Sequence, residues 1–206
     1  MIDTDWIKQI IESLGYWGIA LLMFLENLFP PIPSELIMPL AGYTSNLPGA
    51  KLNVIGVFFA GLLGSVLGAL VWYYPGKIFG EKRLRAWADK YGKWLSISSK
   101  DITKAKRWFD QQGGKAVFIG RLVPGVRTLI SVPAGMSNMH LLPFLIYSTL
   151  GTAAWVALLT YAGYALGSQY ELVDKYLAPV SKIVVAVLVV AFVVWVINRR
   201  RKNRRK

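Results

Sequence analysis

Two short stretches of this chain carry charge where charge is costly. Gly120-Arg121-Leu122-Val123-Pro124-Gly125-Val126-Arg127 sets two arginines around a Pro-Gly break in an apolar run. Nearer the N-terminus, Glu26-Asn27-Leu28-Phe29-Pro30-Pro31-Ile32-Pro33-Ser34-Glu35 sets two glutamates around three prolines. A charge at the centre of a bilayer costs about 2.5–3.5 kcal/mol on insertion scales, so intramembrane charge points to function by default. A guanidinium binds phosphate or carboxylate through paired hydrogen bonds. On one continuous helix Arg121 and Arg127 would lie roughly 240° apart, at about 100° per residue, and would not share a face. A break at Pro124-Gly125 lets them sit on opposing arms near a hairpin tip, where both can grip one anionic group. Glu26 and Glu35 are likewise roughly half a turn out of phase on an unbroken helix. A tip at Pro30, Pro31 and Pro33 brings them together. Such a carboxylate pair can take up or release a proton as its partners change. The plainer reading is that Glu and Arg pair only to hold two hairpins together. The two readings are compatible, since a substrate could compete for a salt bridge that also locks the closed state.

The surrounding elements must put these groups inside a membrane. Of the 206 residues, 54% are hydrophobic, which points to a polytopic membrane protein of one domain, 1–198, with a basic tail at 199–206. Residues 3–14 read as an amphipathic helix, with Trp6, Ile7, Ile10, Ile11 and Leu14 at helical spacing. The apolar run that follows is too short to cross about 30 Å of hydrocarbon and stops at prolines. With the next short run it reads as a re-entrant hairpin over about 16–47. Broken backbone of this kind is tolerated only inside protein or beside water. Residues 52–75 read as a full span with a small-residue face, Gly56, Gly61, Gly64, Ser65 and Gly68, ending at the aromatic residues Trp72, Tyr73 and Tyr74. Basic helices over 81–112, the second capped by Ser98 or Ser99 and ending at Gly113-Gly114, should lie on an anionic leaflet. A second hairpin is predicted over 115–139, then spans at 141–167 and 177–198.

Charge sets the orientation. The region 76–114 and the tail, both rich in lysine and arginine, belong in the cytoplasm; the link 168–175, with Glu171 and Asp174, belongs outside. This is consistent only if each hairpin returns to the side it entered. A repeat is visible at an offset of 87 residues: Tyr74-Pro-Gly76 with Gly80 matches Tyr161-Ala-Gly163 with Gly167, and Gly64-Ser65 matches Gly151-Thr152. Pro39-Leu-Ala41-Gly42 resembles Val132-Pro133-Ala134-Gly135. The expected fold is therefore all-α and integral to the membrane. It is an inverted repeat of re-entrant hairpin plus transmembrane helix, with an extra C-terminal helix, a layout shared by many secondary transporters.

Other residues narrow the function. There is no cysteine and a single histidine, His140, so thiolate chemistry and a multi-histidine metal site are excluded within one chain. That argues against a membrane phosphatase, which usually needs a histidine nucleophile or a metal cluster. No cofactor, metal or nucleic-acid partner is expected. Trp155 reads as packing; Ser148 and Tyr147 could hydrogen-bond a ligand, although hydroxyls in membrane helices usually bond back to their own helix. The N-terminus lacks a basic signal-peptide region, so insertion is expected to use internal segments. The glycine face of 52–75 and the last helix could each serve a homodimer.

Taken together, Glu26, the Pro-x-Pro-x-Glu ending at Glu35, Phe118-Ile-Gly-Arg121-Leu-Val-Pro124-Gly-Val-Arg127 and Pro133-Ala-Gly-Met136 resemble the DedA family. This is the bacterial branch of a superfamily that also holds eukaryotic lipid scramblases of the VTT-domain type. The resemblance covers roughly residues 10 to 168. It implies an inner-membrane protein with two opposed re-entrant hairpins that translocates a lipid carrier, above all undecaprenyl phosphate, with dependence on the proton motive force in some members. The family's acidic pair falls on Glu26 and Glu35 and its arginine pair on Arg121 and Arg127. Many members carry Asp where this chain has Glu35, and Asn near Ser148. The expected activity is flipping of undecaprenyl phosphate for carrier recycling, with Arg121 and Arg127 on the phosphate and Glu26 and Glu35 coupling protons or gating. Transport of a small ion with protons, and flipping of phosphatidylethanolamine, are the alternatives.

Overall fold

A computed structural model describes residues 5–29, 34–95 and 98–166. The described residues form helices and no strands: α1 Asp5–Leu14, α2 Tyr16–Leu28, α3 Ser34–Thr44, α4 Val54–Leu95, α5 Ser99–Gln112, α6 Gly114–Leu122, α7 Val126–Leu129, α8 Ser131–Met136 and α9 Leu141–Leu166. Pro30, Pro31 and Pro33, the link 168–175, the span at 177–198 and the tail lie outside them.

Local sequence explains each boundary. In α1, Ile7 and Ile11 are fully buried while Gln9, Glu12 and Ser13 face outward, as its helical periodicity requires. α2 is apolar until Glu26 and Asn27 and ends in extended backbone at Phe29. α5 begins where the Asp101 carboxylate accepts the Ser98 backbone N–H at 2.8 Å, and it ends at Gly113, whose φ of 53° suits glycine. α6 gives way to α7 at Pro124-Gly125, with Gly125 in the left-handed region at φ 77°.

The principal difference from the sequence-based expectation is in α4. The aromatic residues at 72–74 do not end it; the helix runs through Pro75 and breaks at Gly80, where φ is 60° and ψ 179°. Proline inside an apolar helix is tolerated when neighbouring helices compensate the lost hydrogen bond. Here α8 lies against that turn: a Cβ on Gly76 would strike the Val132 carbonyl. Lys77 therefore belongs to the long helix, and the basic residues from Lys82 onward follow the kink.

The stretches Val54–Lys90 and Leu141–Ala165 are long and apolar enough to cross a membrane. The short helices pack on these two in a crossed pattern. α2 packs on α4 and α3 on α9; α6 packs on α9 and α8 on α4. Glycines permit the close approaches. Gly64 lies against the Ala20 carbonyl and Gly151 against the Phe118 carbonyl; Gly42 and Gly163 bring α3 onto α9, as Gly135 and Gly76 bring α8 onto α4. Two apolar clusters result. One gathers Ile7, Ile19, Leu22, Ile37 and Met38 with Val156; the other gathers Tyr73, Phe109, Val117, Ile130 and Phe144. Arg121 lies against Phe144 of the second cluster and shares a cavity with Val156 of the first.

Candidate functional site

Arg121 is 3% exposed, near the end of α6. Its guanidinium is held by α7, α8 and α9. Nη1 donates to the Arg127 carbonyl at 2.5 Å and Nη2 to Ser131 Oγ at 2.8 Å. Nε and Nη2 both reach Ser148 Oγ at 3.3 Å. The guanidinium carbon also lies 5.8 Å from the centre of the Phe144 ring, within cation–π range. All of these acceptors are uncharged.

Arg127 turns the other way. From α7 it crosses to the first pair of short helices, where Nη1 donates to Ser34 Oγ at 2.6 Å. Its Nη2 hydrogen-bonds Glu26 Oε1 on α2 and lies 4.0 Å from Glu35 Oε2 on α3. Trp155 of α9 donates to the same Ser34 hydroxyl at 3.4 Å. The break at Pro124-Gly125 thus separates the arginines into two jobs: Arg121 braces the turn from inside, and Arg127 spans the gap. Two arginines and two glutamates balance in formal charge, which is what allows the group to be buried.

Glu26 is 5% exposed, and its second oxygen, Oε2, has no hydrogen-bond partner in the protein. Glu26, Ser65, Arg121, Arg127, Thr152 and Trp155 line a small cavity of about 10 Å³. Ser65 and Thr152 come from α4 and α9. Each follows a glycine, Gly64 or Gly151, that admits a short helix closely enough for its charged residue to reach the centre.

The four charged residues singled out by sequence therefore meet, and Pro124-Gly125 lies at the turn between the arginines. Several partners were not singled out. Ser34 and Ser131 are each fully buried and hold one guanidinium apiece. Two bland expectations are corrected: Ser148 accepts from Arg121 instead of serving only its own helix, and Trp155 is a hydrogen-bond donor as well as packing. The signal for Ser34 was its place beside Glu35 just after the prolines; for Ser131 and Ser148, only the need of a buried arginine for acceptors pointed anywhere. Among the described residues, no group of three His, Cys, Asp or Glu is placed to hold a metal. His140 is exposed just before α9.

Among the described residues, an all-helical fold with two membrane-length helices and a buried Glu–Arg group at the meeting of four short helices defines a class of membrane protein, and comparison with known sequences supplies the family. The VTT domain model matches residues 32–165, and the chain belongs to the VTT-domain (DedA) family. It is 43% identical over 188 residues to a Lactococcus lactis protein named "Alkaline phosphatase-like protein", covering 91% of this chain and 87% of that one. It is 34% identical over 199 residues to "Undecaprenyl phosphate transporter A" of Staphylococcus aureus, covering 97% of each. The protein of the same name from Bacillus subtilis is 33% identical over 188 residues, 89% of this chain and 90% of that one. No solved structure matches the chain.

Proposed function

We propose that this protein flips undecaprenyl phosphate from the outer to the inner leaflet of the bacterial cytoplasmic membrane, returning the carrier for reuse. The observation that carries the reading is Arg127, one guanidinium shared by Glu26, Ser34 and Glu35 across the gap between the two sets of short helices. A cavity of about 10 Å³ has room for about one water, far too little for a phosphate headgroup. The lipid phosphate enters as the short helices part and replaces the carboxylates on Arg127. One anion exchanges for another, so the guanidinium is never left uncompensated. Arg121 supplies the second positive charge at the same point, and the polyprenyl tail stays in lipid. Glu26 and Glu35, released from Arg127, gate the site and carry the coupled proton.

The same reading makes α2–α3 and α6–α8 re-entrant hairpins of opposite orientation, each with one spanning helix, in an inverted repeat. The matched crossings of Gly42 and Gly135, and of Gly163 and Gly76, support it. The basic helices and the tail face the cytoplasm by the positive-inside rule.

Purified protein in vesicles with labelled undecaprenyl phosphate tests the proposal. The wild type should move the lipid between leaflets, and Arg127→Ala should abolish movement. Lipid movement that persists in both Arg121→Ala and Arg127→Ala would sink it. Solute flux without lipid movement would favour a small-ion transporter, and release of inorganic phosphate would favour the phosphatase chemistry in the Lactococcus lactis relative's name.

A further inference from the structure

The unpartnered oxygen of Glu26 and the two hydroxyls beside it form a feature that anion binding does not use. A buried carboxylate oxygen without a hydrogen bond is costly, and native proteins commonly satisfy such atoms with an ordered water. Glu26 Oε2 has no protein partner, and Glu26 lines a cavity with Ser65 of α4 and Thr152 of α9. These two hydroxyl residues occupy matching places in the 87-residue repeat, each directly after the glycine on which a short helix rests. The cavity volume of about 10 Å³ is at the threshold for one water molecule, which needs two to four polar partners. Glu26, Ser65 and Thr152 are three.

We propose that Ser65 and Thr152 anchor a single water against Glu26 Oε2, and that this water is where the coupled proton reaches the site. The proposal rests on the flippase reading above and adds the ligand and two positioning residues. The charges facing Glu26 are Arg127 from α7, Glu35 from α3 and Arg121 from α6; α4 and α9 present the hydroxyls and Trp155. Two guanidiniums at the cavity disfavour a metal cation there, whereas a neutral water donates to the carboxylate and accepts from a hydroxyl. When the pair opens, a hydronium at this position gives its proton to Oε2. The carboxylate becomes the neutral acid, a neutral water is left, and Arg127 is free for phosphate.

Radiolytic labelling with isotopic water tests the site. Val156 lines the cavity and is fully buried, so its oxidation requires water inside the protein. The wild type should label at Val156. Thr152→Val should lower that labelling roughly fivefold or more by removing a polar partner, and Thr152→Ser should keep it. No labelling in the wild type, or equal labelling in Thr152→Val, overturns the water site. In vesicles, the ratio of lipid transfer with a proton gradient to transfer without one should fall toward unity in Ser65→Ala/Thr152→Val and be retained in Thr152→Ser. An unchanged ratio in the double variant, or a sodium gradient that replaces the proton gradient, overturns the proton's route. If the wild type moves no lipid, the flippase reading fails, and the labelling still decides the water site.

Discussion

At the scale of single residues, the two arginines differ in what holds them. Arg121 is held by a carbonyl and two serine hydroxyls, and its charge is paired with no carboxylate within 4 Å among the described residues. Arg127 makes the only described ion pairs between the two sets of short helices. Removing one partner of a buried ion pair costs about 3–5 kcal/mol, because the other charge is left uncompensated. Glu26→Ala and Arg127→Ala should therefore each lower the melting temperature of the detergent-solubilised protein. The double variant should be less destabilised than the sum of the two, and a strictly additive cycle would show that the pair is not coupled. Outside the two membrane-length stretches, the Asp110 carboxyl is held below the usual range, first by its hydrogen bond from Lys106, 2.6 Å away. A carboxylate with a lowered native pKa stabilises the fold above its unfolded pKa and loses that contribution as pH falls through the native one. The two side chains are 28% and 42% exposed, so the effect is small, about 0.3–0.5 kcal/mol. Melting curves of Asp110→Asn should be correspondingly flatter in acid than those of the wild type.

At the scale of elements, the short helices are held by contacts that leave no room for a side chain. Gly163 lies against the Pro39 carbonyl and Gly135 against the Tyr73 carbonyl. Gly163→Val or Gly135→Val must push a short helix off its long partner. Overpacking typically costs about 1–3 kcal/mol, and backbone has less freedom to yield than a side chain. Reduced folded yield, read by size-exclusion profile, is the expected result. Motion of α3 can be tested where Asn46 Nδ2 donates to the Tyr164 carbonyl at 2.9 Å. The chain has no cysteine, so a pair introduced by Asn46→Cys and Tyr164→Cys would be the only thiols present. Cross-linking them should stop lipid transfer and reduction should restore it; full transfer in the cross-linked protein would mean that α3 and α9 move together.

At the scale of the whole molecule, much of the arrangement is visible in the sequence because membrane physics is strict. An apolar run too short to span, closed by Pro30, Pro31 and Pro33 or by Pro124-Gly125, leaves few options, and buried charges must find one another. Glu26, Glu35, Arg121 and Arg127 were legible on those grounds. Ser131 and Ser148 were not, since a lone serine in an apolar helix has the same appearance whether it bonds to its own carbonyl or to an arginine from elsewhere. The extent of α4 was also hidden: Pro75 normally marks a helix end, and here the fit of Gly76 beneath Val132 overrides it. Orientation is the global property open to a direct test. A single cysteine at Lys100→Cys on α5 should react with an impermeant reagent in inverted vesicles and not in intact cells.

The crossed packing has a mechanical consequence. Because α2 and α8 rest on α4 while α3 and α6 rest on α9, each set of short helices straddles the two long helices like a strap pinned at both ends. Any slide or tilt of α9 relative to α4 pulls on both straps together. The two sides of the protein then behave as a linkage with one shared coordinate, and no messenger residue is required to tell one side what the other has done.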